Sequence, residues 1–145
     1  MGLPLDRIAS TEASFTQSFV KVGLNPDWGG TYFLPRLVTS NKACELFFLG
    51  ETIKAEEAAR LNIVNQVVSA EELENATQAL AQRLKVAPPI AIAAAKQAVY
   101  MSDASDLEEM LRYETESQIR CFESEDGHEG VRAFLEKRDP IFTGH

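Results

Sequence analysis

The sequence is poor in several useful things. Its 145 residues hold two cysteines, Cys44 and Cys121, and two histidines, His128 and His145. No CxxC or Cys/His spacing surrounds the thiols, which excludes a disulfide framework and a zinc knuckle. Both cysteines sit in apolar helical contexts and read as buried free thiols. The histidines stand apart from each other and from carboxylates at ligand spacing, so no metal site is expected. Serine, threonine and cysteine show no nucleophile elbow or triad-like context. Basic residues are outnumbered 14 to 22, leaving a formal net charge of −8. A surface of that sign repels nucleic acid and anionic membranes, so neither is an expected partner. No apolar run approaches the roughly 20 residues of a bilayer span. The first residues lack the basic-then-apolar order of a secretion signal, and unpaired thiols suit a reducing compartment, so the expectation is cytoplasmic.

What is present is ordinary for a globular chain: 45% hydrophobic and 25% charged residues, enough for one domain with a core. The most informative stretch is Gly23–Leu37. Pro26 fixes its own φ, and Asp27 can accept hydrogen bonds from backbone N–H groups just ahead of it. Gly29-Gly30 lets the backbone pass close to a neighbour, and Phe33, Leu34 and Leu37 then return as a short helical face. Two readings stay open. Asp27 is either the N-cap of that helix or a carboxylate aimed into a pocket beside Trp28.

In chain order, Ile8–Ser10 reads as a strand and Ala13–Thr16 as its return strand across a turn at Thr11-Glu12, with Phe15 inward. Gln17–Val22 reads as a buried connector. Thr39-Ser40-Asn41 offers caps for a helix over Lys42–Leu49 with Ala43, Leu46 and Phe47 inside and Gly50 as its stop. Ala55–Leu61 is a short helix ending at Asn62, and Ile63–Val68 a strand by its β-branched content. From Ser69 the chain is helical. Ser69 with Glu72 forms a capping box ahead of an amphipathic run through Leu73, Ala76, Leu80 and Leu84. Pro88-Pro89 breaks the chain before an Ala-rich helix over Ile90–Met101. Ser105 with Glu108 reads as a second box, opening a helix to about Phe122. Ser124 opens the last, whose face is Val131, Phe134 and Leu135. The organisation is thus a core portion over residues 1–68 and a helical region over residues 69–145.

The Gly23–Leu37 stretch, with its Gly-Leu-x-Pro-x-x-Gly-Gly-Thr…Leu-Pro-Arg order, resembles the loop-helix segment of the crotonase (enoyl-CoA hydratase/isomerase) family. The likeness continues through Ala43–Leu46, Leu49–Glu51, Ala55–Ala58, Ile63–Val68 and Ala94–Ala98, and ends with Glu129–Pro140. It implies an α/β, crotonase-like fold, here the C-terminal portion, mostly α-helical with a few short strands. Lys54 stands where that family usually has a capping Ser, Thr or Asp, a departure worth roughly 1 kcal/mol. Asn62 replaces a more usual Gly and tolerates the left-handed conformation. Against the family pattern the chain begins abruptly, and Gly2-Leu3-Pro4-Leu5 is a poor remnant of the helix expected there.

Crotonase-type enzymes stabilise the enolate of an acyl-CoA thioester with two backbone N–H groups and move protons with carboxylates. Hydratases of the family carry one glutamate eight residues before the Asp27 position, which here is Phe19, and a second in an upstream segment. The resemblance therefore implies a one-carboxylate isomerase with Asp27 as base and Phe19, Trp28, Gly29 and Gly30 around the substrate. Plain core packing is the alternative for Phe19 and Trp28. Phe134, Lys137 and Phe142 match positions near the nucleotide end of CoA, although Lys137 also suits a solvated helix end. No cofactor is expected, CoA being part of the substrate, and the partners implied are an acyl-CoA and further copies of the chain, as a trimer or higher homo-oligomer. Because the oxyanion donors and main CoA-binding segments of the family fall upstream of Met1, the isolated chain is expected to be inactive. The competing readings are a non-catalytic helical oligomerisation module and one half of a split enzyme.

Overall fold

The computed structural model describes residues 6–145, and the reading of Gly2-Leu3-Pro4-Leu5 lies outside them. The chain divides into two compact units, Met1–Leu80 and Ala81–His145. The division falls inside a helix, α4 (Leu73–Lys85), whereas composition changes character at Val68-Ser69.

Among the described residues, the first unit holds the three-residue strands β1 (Ile8–Ser10), β2 (Ser14–Thr16), β3 (Thr52–Lys54) and β4 (Gln66–Val68), with the helices α1 (Gly30–Leu37), α2 (Ser40–Leu49) and α3 (Ala55–Arg60) ahead of α4. β1 and β2 do not form the expected hairpin. β1 pairs in parallel with β4, Ala9 opposite Val67, and β2 pairs antiparallel with β3, Phe15 opposite Ile53. Strands this short carry too little alternation to declare a partner, and the partners come from the far side of α2 and α3.

Two small clusters form the core. Ala9, Ala55, Ala58 and Val64 make one, and Leu34, Ala43, Leu46 and Phe47 the other. Ile53 and Ile63 pack against both. The expected inner face of α2 is therefore observed, with Thr39 capping through Lys42 N–H at 3.3 Å and Gly50 closing at φ 58°. Cys44, one residue off that face, is exposed rather than buried. The connector at Ser18–Val22 is a 3₁₀ turn with no buried residue, not a buried segment.

The strand expected over Ile63–Val68 shortens to β4 because α3 closes through its first residues. Asn62, at φ 59°, donates to the Ala59 carbonyl at 3.0 Å, and Ile63 donates to Ala58 at 2.8 Å. That is a Schellman closure with its C″ side chain, Ile63, on the core. Arg7 holds the same loop: its guanidinium donates to the Ile63 and Asn62 carbonyls, and Asn65 Oδ1 accepts from Arg7 N–H at 3.0 Å.

The box between Ser69 and Glu72 forms as read, one step ahead of α4. The second unit contains α5 (Pro89–Met101), α6 (Leu107–Glu123) and α7 (Glu125–Glu136). The cap of α6 is Asp106, accepting from Glu109 N–H at 2.8 Å, not the pair Ser105 and Glu108. A carboxylate one residue later takes the place of the serine hydroxyl. Small residues bring α5 and α6 together: Ala91, Ala94 and Ala98 line one gap with Ser117 and Cys121, and Tyr113 Oη donates to the Ala94 carbonyl at 3.2 Å. At the α6–α7 corner, Ser124 Oγ donates to the Cys121 carbonyl at 2.7 Å and accepts from Gly127 N–H at 2.9 Å.

That corner has no room for a side chain. A Cβ on Gly127 would stand 1.9 Å from the Cys121 carbonyl oxygen, which is backbone and cannot step aside. Gly127→Ala is expected to cost about 3 kcal/mol in chemical denaturation. Gly130→Ala, whose Cβ would meet the Phe142 ring at an ordinary 3.6 Å, is expected to be neutral or to gain up to about 1 kcal/mol from helix propensity. Equal effects from the two substitutions would mean the corner is looser in solution.

Candidate functional site

The loop carrying Asp27 is built from consecutive backbone constraints. Gly23, at φ 72°, ends the 3₁₀ turn, and Leu24 N–H reaches back to the Phe19 carbonyl at 3.0 Å. Asn25 Nδ2 donates to the Pro26 carbonyl at 2.8 Å. Trp28 and Gly29 then take left-handed conformations in succession, φ 53° and 77°. Gly30 N–H closes onto the Asp27 carbonyl at 2.8 Å, and Tyr32 and Phe33 N–H bond the Gly29 carbonyl at 3.0 and 2.9 Å.

This geometry removes the capping reading of Asp27. The N-cap of α1 is Gly29, with no side-chain cap bond, and two left-handed residues set Asp27 outside the helix. Its carbonyl is anchored; its carboxylate is exposed and bonds nothing among the described residues. Left-handed φ costs a residue with a Cβ of order 1–2 kcal/mol, and Trp28 carries that strain while 94% exposed. Gly29 is required twice over, since a Cβ there would also stand 2.9 Å from the Phe33 ring. Phe19 is half-buried and joined to this loop through its carbonyl. Gly30 is half-buried, with Phe47, Gln17 and Pro26 at 3.8–3.9 Å from where a Cβ would be. A cavity of about 420 Å³ among the described residues of this unit is lined by residues such as Phe15, Leu34, Leu46 and Ile53, and none of the five candidates faces it.

The second group of candidates lies at the end of the chain. Phe134 is 83% exposed on α7. Lys137 closes α7 at φ 54°, its N–H on the Phe134 carbonyl and the next residue's on Ala133, so a lysine fills the place glycine usually takes. Phe142 is half-buried.

Two acidic residues that the sequence reading passed over order this end. Glu129 forms a fork with Arg138, Nη1 to Oε1 at 2.6 Å and Nη2 to Oε2 at 3.0 Å, and also accepts from Ile141 N–H at 3.0 Å. Arg138 Nε adds Glu136 at 2.6 Å. Asp126, only 3% exposed, accepts from Thr143 N–H at 2.6 Å and Gly144 N–H at 3.0 Å. The signal available in the sequence was the i, i+3 spacing of the two acids ahead of an Arg-Asp-Pro turn. Among the described residues no group of histidine, cysteine and carboxylate side chains could hold a metal ion.

The sequence model of the enoyl-CoA hydratase/isomerase family matches residues 6–145. The chain belongs to that family. Among curated proteins, this crotonase-family chain is 39% identical over 132 residues to a short-chain-enoyl-CoA hydratase of Clostridium acetobutylicum, covering 91% of the chain and 51% of that protein. It is also 39% identical over 137 residues to the 1,2-epoxyphenylacetyl-CoA isomerase of Escherichia coli, covering 94% of the chain and 52% of that protein. A solved enoyl-CoA hydratase structure from Geobacillus kaustophilus superposes with a TM-score of 0.90 at 40% identity, over 95% of this chain and 54% of that one. The chain therefore spans about half the length of the curated relatives it matches. The crotonase-like α/β fold, mostly helical with a few short strands, is thereby established. No helix among the described residues is long and apolar enough to cross a membrane.

The Arg138 fork, with the Ile141 N–H second, holds the Glu129 carboxyl at about 2 against an ordinary 4.5, and Arg138 is correspondingly raised. A depressed carboxyl stabilises the fold above its unfolded value, and that contribution disappears as pH falls from about 4.5 towards 2. The Ile141 amide resonance is expected to titrate inside that window and to lose the response in Glu129→Gln. A midpoint at the ordinary glutamate value would mean that the fork does not persist in solution.

Proposed function

We propose that this chain carries the proton-transfer residue, and part of the CoA-binding surface, of an isomerase acting on unsaturated acyl-CoA thioesters. Asp27 takes a proton from C2 of a 3-enoyl thioester and returns it at C4, so that the double bond moves to C2. The carrying observation is the Asp27 carboxylate itself: free of partners among the described residues, exposed, and set by the strained Trp28-Gly29 turn. A base must reach its substrate without first leaving another bond, and strain at such a turn is common where chemistry fixes the backbone.

The relatives' names do not choose between reactions, since a hydratase and an isomerase match at the same 39% identity. Phe19 supports the isomerase. Hydration by the family's pattern needs a glutamate there to activate water, and a phenyl ring cannot do so. Phe19 and Trp28 instead offer apolar surface to the acyl chain, and Gly29 and Gly30 supply the tight turn that carries them. The thioester oxygen takes its two N–H donors from a crotonase core joined to this chain, covalently or as a partner. Without that core the chain is inactive. Lys137, with Phe134 and Phe142, meets the nucleotide end of CoA; a cation in a left-handed helix stop is fixed at its Cα, which suits a phosphate contact. CoA enters as substrate and no further cofactor is required. The setting is cytoplasmic, and the assembly is a homo-oligomer, trimer or higher.

A second reading, a helical oligomerisation module, draws on a different observation. Leu107, Phe134 and Leu135 are each at least 73% exposed, and Leu111, Ile119 and Phe122 more than half. Apolar surface of that extent favours association. Light scattering at tens of micromolar is expected to report self-association, and a strict monomer would remove both the module and the homo-oligomer.

The isomerase reading is tested by joining the chain to a crotonase core and assaying 3-enoyl-CoA to 2-enoyl-CoA conversion. Asp27→Asn is expected to lower the rate by roughly 100-fold or more, the scale of a lost general base. Because the carboxylate makes no bond, the thermal midpoint should not move. Full activity in Asp27→Asn would place the proton carrier elsewhere.

A further inference from the structure

Beyond the fork at Glu129, the chain's last residues run back along α7. The register is antiparallel: Glu129 meets Arg138 and Ile141, and Asp126, one turn earlier on the same face, meets Thr143 and Gly144. The Asp126 N–H completes the pairing by donating to the His145 carbonyl at 3.1 Å. Gly144, at φ 89°, then turns beside α5, where a Cβ on it would stand 3.3 Å from the Pro89 ring. The segment thus crosses from α7 to α5. Beneath it lies an apolar cavity of about 280 Å³, whose walls include Ile90, Ala91, Cys121, Phe122, Val131 and Phe142.

We propose that residues 138–145 form a strap in which Phe142 is the lid of this cavity and Asp126 and Glu129 are its two fastenings. Asp126 is the decisive one. Both of its carboxylate oxygens are satisfied by strap N–H groups, so releasing the strap gives up two charge-assisted bonds made in a buried setting. Closure of the lid and burial of the acid therefore support each other. Glu129, less buried and paired with a guanidinium, fixes where the strap leaves α7. The strap does not depend on the proposed CoA role of Phe142, since every contact it uses lies within residues 88–145.

The two cysteines supply the test in the intact chain. Cys121 lies in the cavity wall and Cys44 is exposed on α2, so Cys44 is an internal standard. Iodoacetamide labelling, resolved by peptide mass spectrometry, is expected to be slower at Cys121 than at Cys44 in the wild type. Asp126→Asn turns one acceptor into a donor facing an N–H, and loss of such a buried bond should raise the Cys121 rate about tenfold relative to Cys44. Thr143→Pro deletes the donor from the strap and leaves α7 intact, and it is expected to do the same should Asp126→Asn fold poorly. Amide hydrogen exchange at Ile141 and Gly144, read beside the labelling, reports the strap directly. Unprotected amide exchange at Ile141 and Gly144 in the wild type would overturn the inference. So would a strap loosened by exchange with Cys121 labelling unchanged, because Phe142 would then cover nothing.

Discussion

Positive φ is the constraint on which much of the fold rests. The 3₁₀ turn stops at Gly23, α1 starts behind Trp28 and Gly29, α2 stops at Gly50, α3 at Asn62 and α7 at Lys137. Each is a left-handed residue that reverses the chain, and each closes donors or acceptors that a helix end would otherwise leave open. Where glycine serves, the reversal is nearly free. Where Trp28 and Lys137 serve, the chain accepts of order 1 kcal/mol or more of strain at each. Those two are also among the residues proposed to meet the substrate. Gly or Asn would take either place with less strain.

The energetic counterpart is how little the helices bury. Neither α4 nor α5 has a buried residue, and α6 has only Ser117. The core of the first unit rests on two clusters joined through Ile53 and Ile63. At about 25 cal/mol per Å² of apolar surface removed from water, exposed faces such as Leu107, Phe134 and Leu135 contribute almost nothing while they face solvent. Stability in the second unit must lean more on directional bonds. The Ser124 corner, the Tyr113 bond and the acid-held strap are of that kind. Neutral bonds of this sort contribute about 1 kcal/mol each, and a buried acid such as Asp126 adds cooperativity, because it penalises partial opening.

Local chemistry was legible in the sequence wherever one residue type has one physical use. Gly50 and Asn62 as stops, Thr39 and Ser124 as caps, and the Ser69–Glu72 box all occur as read. Long-range pairing was not legible. Ile8–Ser10 and Ser14–Thr16 are adjacent in sequence, yet each finds its partner beyond α2, since three residues hold no register of their own. Cys44 was misjudged by a single step of helical phase. Ser105 lost its cap to Asp106 by one residue. The candidate site divides in the same way. The Asp27 loop could be read because glycine and proline punctuate it. The roles of Asp126 and Glu129 could not, because an acid in the first turn of a helix is ordinarily solvated, and only the returning tail makes these two different.

The placement of the candidates also bears on how the proposed chemistry divides. Asp27 belongs to the first compact unit, while Phe134, Lys137 and Phe142 belong to the second. In an enzyme, interactions with a remote part of the substrate that are equal in ground and transition states change KM, and those made only in the transition state change kcat. A base on the Gly23–Leu37 loop falls in the second class. A cation at the end of α7, contacting a phosphate far from the reacting carbons, falls in the first unless its binding energy is used to orient the thioester. The two groups therefore have different kinetic signatures. The carboxylate proposed to do chemistry is free to reach a substrate, whereas the two that hold the tail are bound to it. Asp27, in the first unit, has no side-chain partner among the described residues, while Asp126 and Glu129, in the second, have every oxygen engaged.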